Sequence, residues 1–263
     1  KPNSRKMIHK MSCVHPDARL GSDVLVGPFT TIDKNVEIGD GCRIGSNVTI
    51  LEGARIGRNV TIFPGAVISA IPQDLKFHGE ETTAHIGDNC TLRECVTVNR
   101  GTASKGRTVV GSNTLLMAYT HVAHDCVIGN NVIVSNATQF AGEVVVDDFA
   151  VIGGGSLIHQ FCHIGSHVML QGGALVNKDI PPYIRAAREP ISYAGINIVG
   201  LKRRRFTAEA INEIEEIYRL LYNSGMNVSE AVAHIEAEVA QNEVRDTILE
   251  FVRNSERGII RGY

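Results

Sequence analysis

From Val14 to Val176, every sixth residue is apolar with only three exceptions. The series opens Val14, Leu20, Val26, Ile32, Ile38, is interrupted at Asp74, Glu80 and Ser104, and closes Ile158, Ile164, Leu170, Val176. Of its 28 positions 25 are apolar, whereas the chain's 43% apolar content would place about 12 there by chance. A helix repeats at 3.6 residues and a half-buried strand at two, so neither explains a period of six. Glycine often follows the frame residue, as at Gly21, Gly39, Gly57 and Gly129. A short strand and a corner every six residues describe a triangular prism with 18 residues per coil. Glycine after the strand is expected to supply a positive φ at the corner. Stacked coils would rise about 4.8 Å each, giving a column on the order of 40 Å.

This pattern resembles the hexapeptide-repeat family, whose prism is a left-handed parallel β-helix. The hand is implied by the resemblance, because general chain chirality favours right-handed crossovers. Cys42, Cys90, Cys126 and Cys162 each fall four residues after a frame position, a slot that faces inward in the family. They read as small buried hydrophobes. No C-x-x-C pair supplies zinc spacing, and reduced thiols fit a cytoplasmic protein. Tryptophan is absent, so the core must be aliphatic. The formal net charge of -2 argues against nucleic acid as the main partner. No apolar run approaches the length of a transmembrane segment, and the start lacks the apolar stretch of a signal peptide.

The expected organisation is all-β followed by α. Residues 1–11 form an N-terminal arm, native or added. Residues 12–182 form the β-helix, with loops at about 69–85 and 99–109 that leave the frame intact. Residues 183–263 form a C-terminal α-helical domain. Its first clear helix begins after Thr207 as N-cap and ends before Gly225. Ser229 is expected to cap a second, and residues 242–254 a third. Lys202 to Arg205 form a basic run just ahead of them, suited to phosphate or an acidic partner.

The chemistry concentrates at His121-Val-Ala-His124-Asp125. Two imidazoles and a carboxylate are costly to bury without use. The 18-residue period stacks His124, Gly142 and Gln160 along one edge, with Asp125, Glu143 and Phe161 beside them. A neutral histidine can take a proton from a hydroxyl, a carboxylate can fix its tautomer, and the Gly142 amide can stabilise an oxyanion. That set suits acyl transfer from a thioester to an alcohol.

Six segments sharpen the reading: Gln73-Asp-Leu-Lys76, Arg100-Gly-Thr102, His121 to Cys126, His159-Gln-Phe-Cys162, Pro181-Pro-Tyr183 and Asn197 to Arg204. Together they resemble the UDP-N-acetylglucosamine O-acyltransferases, which open lipid A biosynthesis, and the similarity covers nearly all of residues 12–263. The resemblance implies a cytoplasmic homotrimer that needs no cofactor or metal. Acyl carrier protein would deliver a 3-hydroxyacyl chain to UDP-N-acetylglucosamine. It implies His124 as general base, Asp125 as its orienting partner and Gly142 as oxyanion donor. Asp74, Lys76, His121, His159 and Gln160 would line the sugar and acyl site. Asn197, Arg203 and Arg204 would reach the nucleotide from a neighbouring subunit. Lys202 and Arg205 would meet the acidic carrier protein. Gly172 stands at the acyl-ruler position, where the lack of a side chain favours a chain of about fourteen carbons or more.

Asn99, Glu143 and Val199 depart from the family pattern. Glu143 is expected to bring a second carboxylate to His124. Three other readings stand beside this one. A sister N-acyltransferase would acylate an amine, but it carries an extra N-terminal domain. A zinc hydratase of the γ-carbonic anhydrase type shares the prism, but its histidines are about five apart, whereas His121 and His124 are three apart. A non-catalytic scaffold leaves His124, Asp125 and both loops without a purpose.

Overall fold

A computed structural model describes residues 7–262. Its strands are short, most of them two residues, and they stack into three parallel sheets of eleven, nine and eight strands. Up to Val176 each sheet takes every third strand, so the chain winds around a three-sided prism. The register is 18 residues where the winding is regular, as in Thr49↔Val67 and His121↔Gln139. It is 30 residues for Val67↔Thr97 and 24 for Thr97↔His121. The two loops therefore add two hexads and one hexad. Asp74, Glu80 and Ser104, the three breaks in the frame, lie on them. The flanking strands run further in than the sequence suggests, to Val67–Ala70, Thr83–Ile86, Thr97–Asn99 and Arg107–Val110.

The frame residues fill the prism. From Val26 onward those on the coils are buried, Ile50, Leu92, Ile128 and Ile152 completely. The four predicted cysteines are buried too, and each thiol points at a neighbouring carbonyl, as Cys126 does at Ala141 3.1 Å away. Burial pushes the Cys126 thiol up to about 12, which leaves it an inert filler.

The glycine expectation is corrected. Gly21, Gly39, Gly57 and Gly129 have ordinary φ. A Cβ there would lie 2.3–2.6 Å from the next coil. Close stacking, not corner geometry, selects glycine after the frame. The left-handed slot comes two residues later, three after the frame residue. Asn47, Asn59, Asn89, Asn113 and Asn131 occupy it with φ between 54° and 57°, as do Asp125 at 61° and Glu143 at 60°. Asparagine tolerates that region better than most residues.

Both ends of the expected domain map are adjusted. Met7–Ile8, assigned to the arm, pairs in parallel with Leu25–Val26. Residues 1–6 of that arm lie outside the described residues. The C-terminal segment does not turn helical at 183. Ile184–Ala187 extends the eleven-stranded sheet, and Ser192–Ile196 pairs antiparallel with it. Alternating burial along 184–187 explains why these residues are strand. Four helices follow: α1 (Ile198–Arg203), α2 (Ala208–Asn223), α3 (Val228–Glu238) and α4 (Glu243–Asn254). Thr207 caps α2 as expected, but α3 is capped by Asn227 in a capping box with Glu230, not by Ser229. Tyr218 of α2 is fully buried and donates to Pro182 at 2.5 Å, docking the helices on the last coil.

Candidate active site

His124 and Asp125 sit where the strand His121–Val122 turns toward the next face. Val122 is inward and fully buried, so the residues after it fold around the corner. His124 is buried, and its Nδ1 lies 2.9 Å from Asp125 Oδ2. An ionised carboxylate only accepts, so Nδ1 carries the proton and Nε2 keeps a lone pair when the ring is neutral. Asp125 has no exposed surface. Its Oδ1 accepts from the Thr102 amide at 3.0 Å and the Lys105 amide at 3.3 Å. Its Oδ2 accepts from the Thr102 hydroxyl at 2.5 Å. Its own amide donates to Thr108 Oγ1 at 2.8 Å. These donors compensate an otherwise prohibitive buried charge.

The stacking inferred from the repeat is present. The Glu143 amide donates to the His124 carbonyl, and the Phe161 amide to the Gly142 carbonyl. The imidazole lies over Gly142, where a Cβ would come within 2.5 Å of Cε1 and Nε2. No acceptor among the described residues takes the Gly142 N–H.

Glu143 does not act as expected. Its carboxylate accepts from Ser104 Oγ at 3.1 Å and faces Lys105 Nζ at 3.9 Å. The second carboxylate at His124 is instead Asp74, whose Oδ2 is 3.9 Å from Nε2. The prism period fixes the start of residue 143, but the added hexad of the shorter loop supplies its partners. Sequence reasoning therefore missed Thr102, Ser104, Lys105 and Thr108 as supports. The frame break at Ser104 and the Arg100-Gly-Thr102 segment of the family resemblance were their signals.

Below the corner a groove of about 420 Å³ runs along the nine-stranded sheet. His121, Gln139, Leu157 and Leu175 line it in register, and the two leucines are about half exposed. His159 is also on its wall, its Nδ1 donating to the Gln160 carbonyl at 3.0 Å. Burial, and then the neighbouring His124, lowers the pKa of His121, while Thr97 Oγ1 holds its Nδ1 at 2.7 Å. Lys76 is exposed on the longer loop, its amide donating to Asp74. Gly172 is exposed on the turn before the Leu175 strand. A larger hollow of about 680 Å³ near Met7 and Phe63 lies on a different sheet, and none of His121, Ala123 and His159 is on its walls. Among the described residues, no group of three or more His, Cys, Asp and Glu side chains is placed to hold a metal ion.

Asn197, Arg203 and Arg204 do not join this site within one chain. They line a hollow of about 280 Å³ with Ile133 and Val151 of the eleven-stranded sheet. Asn197 caps α1 and donates to the His167 carbonyl. The Arg204 guanidinium covers the Phe149 ring at 4.5 Å, a cation–π contact. Lys202 and Arg205 are exposed beside them.

Fold and repeat together define the class, a bacterial hexapeptide-repeat transferase, whose six-repeat model matches residues 17–52, 35–70 and 107–142. A second model, described as UDP-N-acetylglucosamine O-acyltransferase domain 2, matches residues 179–260. The acyl-[acyl-carrier-protein]–UDP-N-acetylglucosamine O-acyltransferase of Chlorobium phaeobacteroides is 56% identical, covering 95% of this chain and 96% of its own. The like-named protein of Trichlorobacter lovleyi is 50% identical, covering 97% of this chain and 99% of its own. A solved UDP-N-acetylglucosamine acyltransferase from Bacteroides fragilis superposes with a TM-score of 0.96 at 57% identity, covering 97% of this chain and all of that one. The chain belongs to the UDP-N-acetylglucosamine O-acyltransferase family, and its prism is that family's left-handed parallel β-helix.

Proposed function

We propose that this protein transfers a 3-hydroxyacyl chain from acyl carrier protein to the 3-hydroxyl of UDP-N-acetylglucosamine, the first step of lipid A biosynthesis. Family membership supplies the substrates. The observation that carries the chemistry is His124, held by Asp125 through Nδ1, next in sequence to Ala123 on the wall of an apolar groove. Nε2 removes the proton of the sugar hydroxyl as its oxygen attacks the thioester carbonyl. The Gly142 N–H, without an acceptor among the described residues, donates to the oxyanion. Collapse of the tetrahedral adduct breaks the C–S bond, and the imidazolium returns its proton to the departing sulfur. Acyl transfer here is a reaction of the chain's own side chains and needs no cofactor.

Asp74, Lys76, His121, His159 and Gln160 surround the reacting groups in this reading. The acyl chain follows Leu157 and Leu175 down the groove, and bare Gly172 leaves room for about fourteen carbons or more, each buried CH₂ contributing about 0.8 kcal/mol. Asn197, Arg203 and Arg204 bind the nucleotide of a neighbouring copy in a homotrimer. Their separation from His124 within one chain supports that role. Lys202 and Arg205 face the carrier protein.

Incubating the purified protein with UDP-N-acetylglucosamine and a series of hydroxyacyl carrier proteins tests this. We expect a base-labile ester and a preference for long donors, shortened in Gly172→Met. A methyl at Gly172 would already press on the Gly154 carbonyl at 3.1 Å. Turnover only of a 3-amino acceptor, giving an amide, would overturn the O-acyl reading.

A further inference from the structure

The geometry points to the shorter loop as a cradle for the Asp125 carboxylate, with Thr102 as a positioning residue for the His124–Asp125 pair. This rests on His124 as the base. Along another edge of the prism the same left-handed slot carries a ladder of asparagines. Asn59 Nδ2 donates to Asn89 at 3.4 Å, and Asn89 Nδ2 to Asn113 at 3.2 Å. An aspartate cannot continue such a ladder, because an ionised carboxylate has nothing to donate. It needs donors, and Gly101, one coil before it in register, has no side chain to supply them. One coil earlier the chain leaves the prism for a single extra hexad, and that hexad delivers them. The Thr102 amide and hydroxyl and the Lys105 amide reach the carboxylate.

The hydroxyl direction is set as well. Thr102 Oγ1 accepts from the Ser104 amide at 3.2 Å while donating to Asp125 at 2.5 Å. The loop closes on itself, Gly106 N–H to the Thr102 carbonyl at 2.7 Å, with Gly106 at φ 71°. It is latched one coil further on, where Glu143 takes the Ser104 hydroxyl and faces Lys105 Nζ. Both Asp125 oxygens are thus occupied, and His124 Nδ1 has one fixed acceptor. Loss of the hydroxyl frees the carboxylate to rotate and, with it, the imidazole.

The test uses the full chain with UDP-N-acetylglucosamine and a hydroxyacyl carrier protein, comparing Thr102→Val, Thr102→Ser and His124→Ala. Removing one hydrogen bond to a charged group predicts a kcat loss of about ten- to a hundredfold in Thr102→Val. Both KM values should stay within about twofold, and Thr102→Ser should restore kcat. Thr102→Val within about threefold of wild type, beside an inactive His124→Ala, overturns the cradle alone. So does a Thr102→Ser as slow as Thr102→Val. An active His124→Ala overturns the base and the cradle together. If Thr102→Val fails to fold, Ser104→Ala cuts the latch from outside the carboxylate. It should lower kcat a few-fold without moving KM, and an unchanged kcat overturns the proposal.

Discussion

Close contact rather than backbone freedom selects several of the glycines, and Gly142 is the consequential one. Its φ is ordinary, so an alanine there meets no backbone penalty. The obstacle is the imidazole, 2.5 Å from the added methyl. Gly142→Ala should therefore leave the fold intact and push His124 off its 2.9 Å bond to Asp125. A displacement of that order costs about a hundredfold in kcat. Equal kcat for Gly142→Ala and wild type would refute the seat assigned to the ring. The column of His124, Gly142 and Gln160 was legible because the frame is unbroken after Val110. The partners of Asp125 and Glu143 were not, because a period says where a loop leaves and returns, and nothing of its path. For the same reason Asp74, at the first frame break of the longer loop, displaced Glu143 as the second carboxylate at His124.

At the scale of elements, the junction between prism and helices carries a pH dependence. The His167 ring stacks on Phe149 at 4.9 Å, faces Tyr183, and meets Phe206 edge-on at 5.0 Å. Burial first, and then Arg204, lowers its pKa from 6.5 to about 4. The unfolded chain then binds the proton more readily than the folded one, so stability rises with pH. The contribution is complete above about 6.5 and is lost as pH falls toward 4. His85 and His121, also lowered by burial, act in the same direction. Thermal melts should show Tm falling across that window. In His167→Asn, which suits the φ of 57°, the fall should be shallower and the Tm at neutral pH lower. A slope unchanged by that substitution would show that another group governs it. Helix α2 was legible through its Thr207 cap and apolar stripe. Helix α1 was not, because six residues are too short to show a helical period.

Over the whole molecule, the prism is a rigid ruler that sets distant residues side by side, and it divides the labour between its faces. The groove lined by His121 and His159 lies on the nine-stranded sheet, and the Asn197 and Arg204 hollow borders the eleven-stranded one. In the proposed reading a single chain holds two separate half-sites. The proposed trimer joins them, and light scattering should give three times the 28.5 kDa chain mass. Mixing His124→Ala with Arg204→Ala chains should restore part of the activity that each lacks alone. A monomer with full activity would contradict that assembly. The repeat alone conveyed this architecture, whereas the substrate came from the loops and the C-terminal segments that carry the family resemblance. The account stands most directly on His124. With both substrates saturating, kcat of His124→Ala should fall by about 10²- to 10⁴-fold, with UDP-N-acetylglucosamine binding retained. A kcat within about threefold of wild type would contradict the site at the corner of the prism.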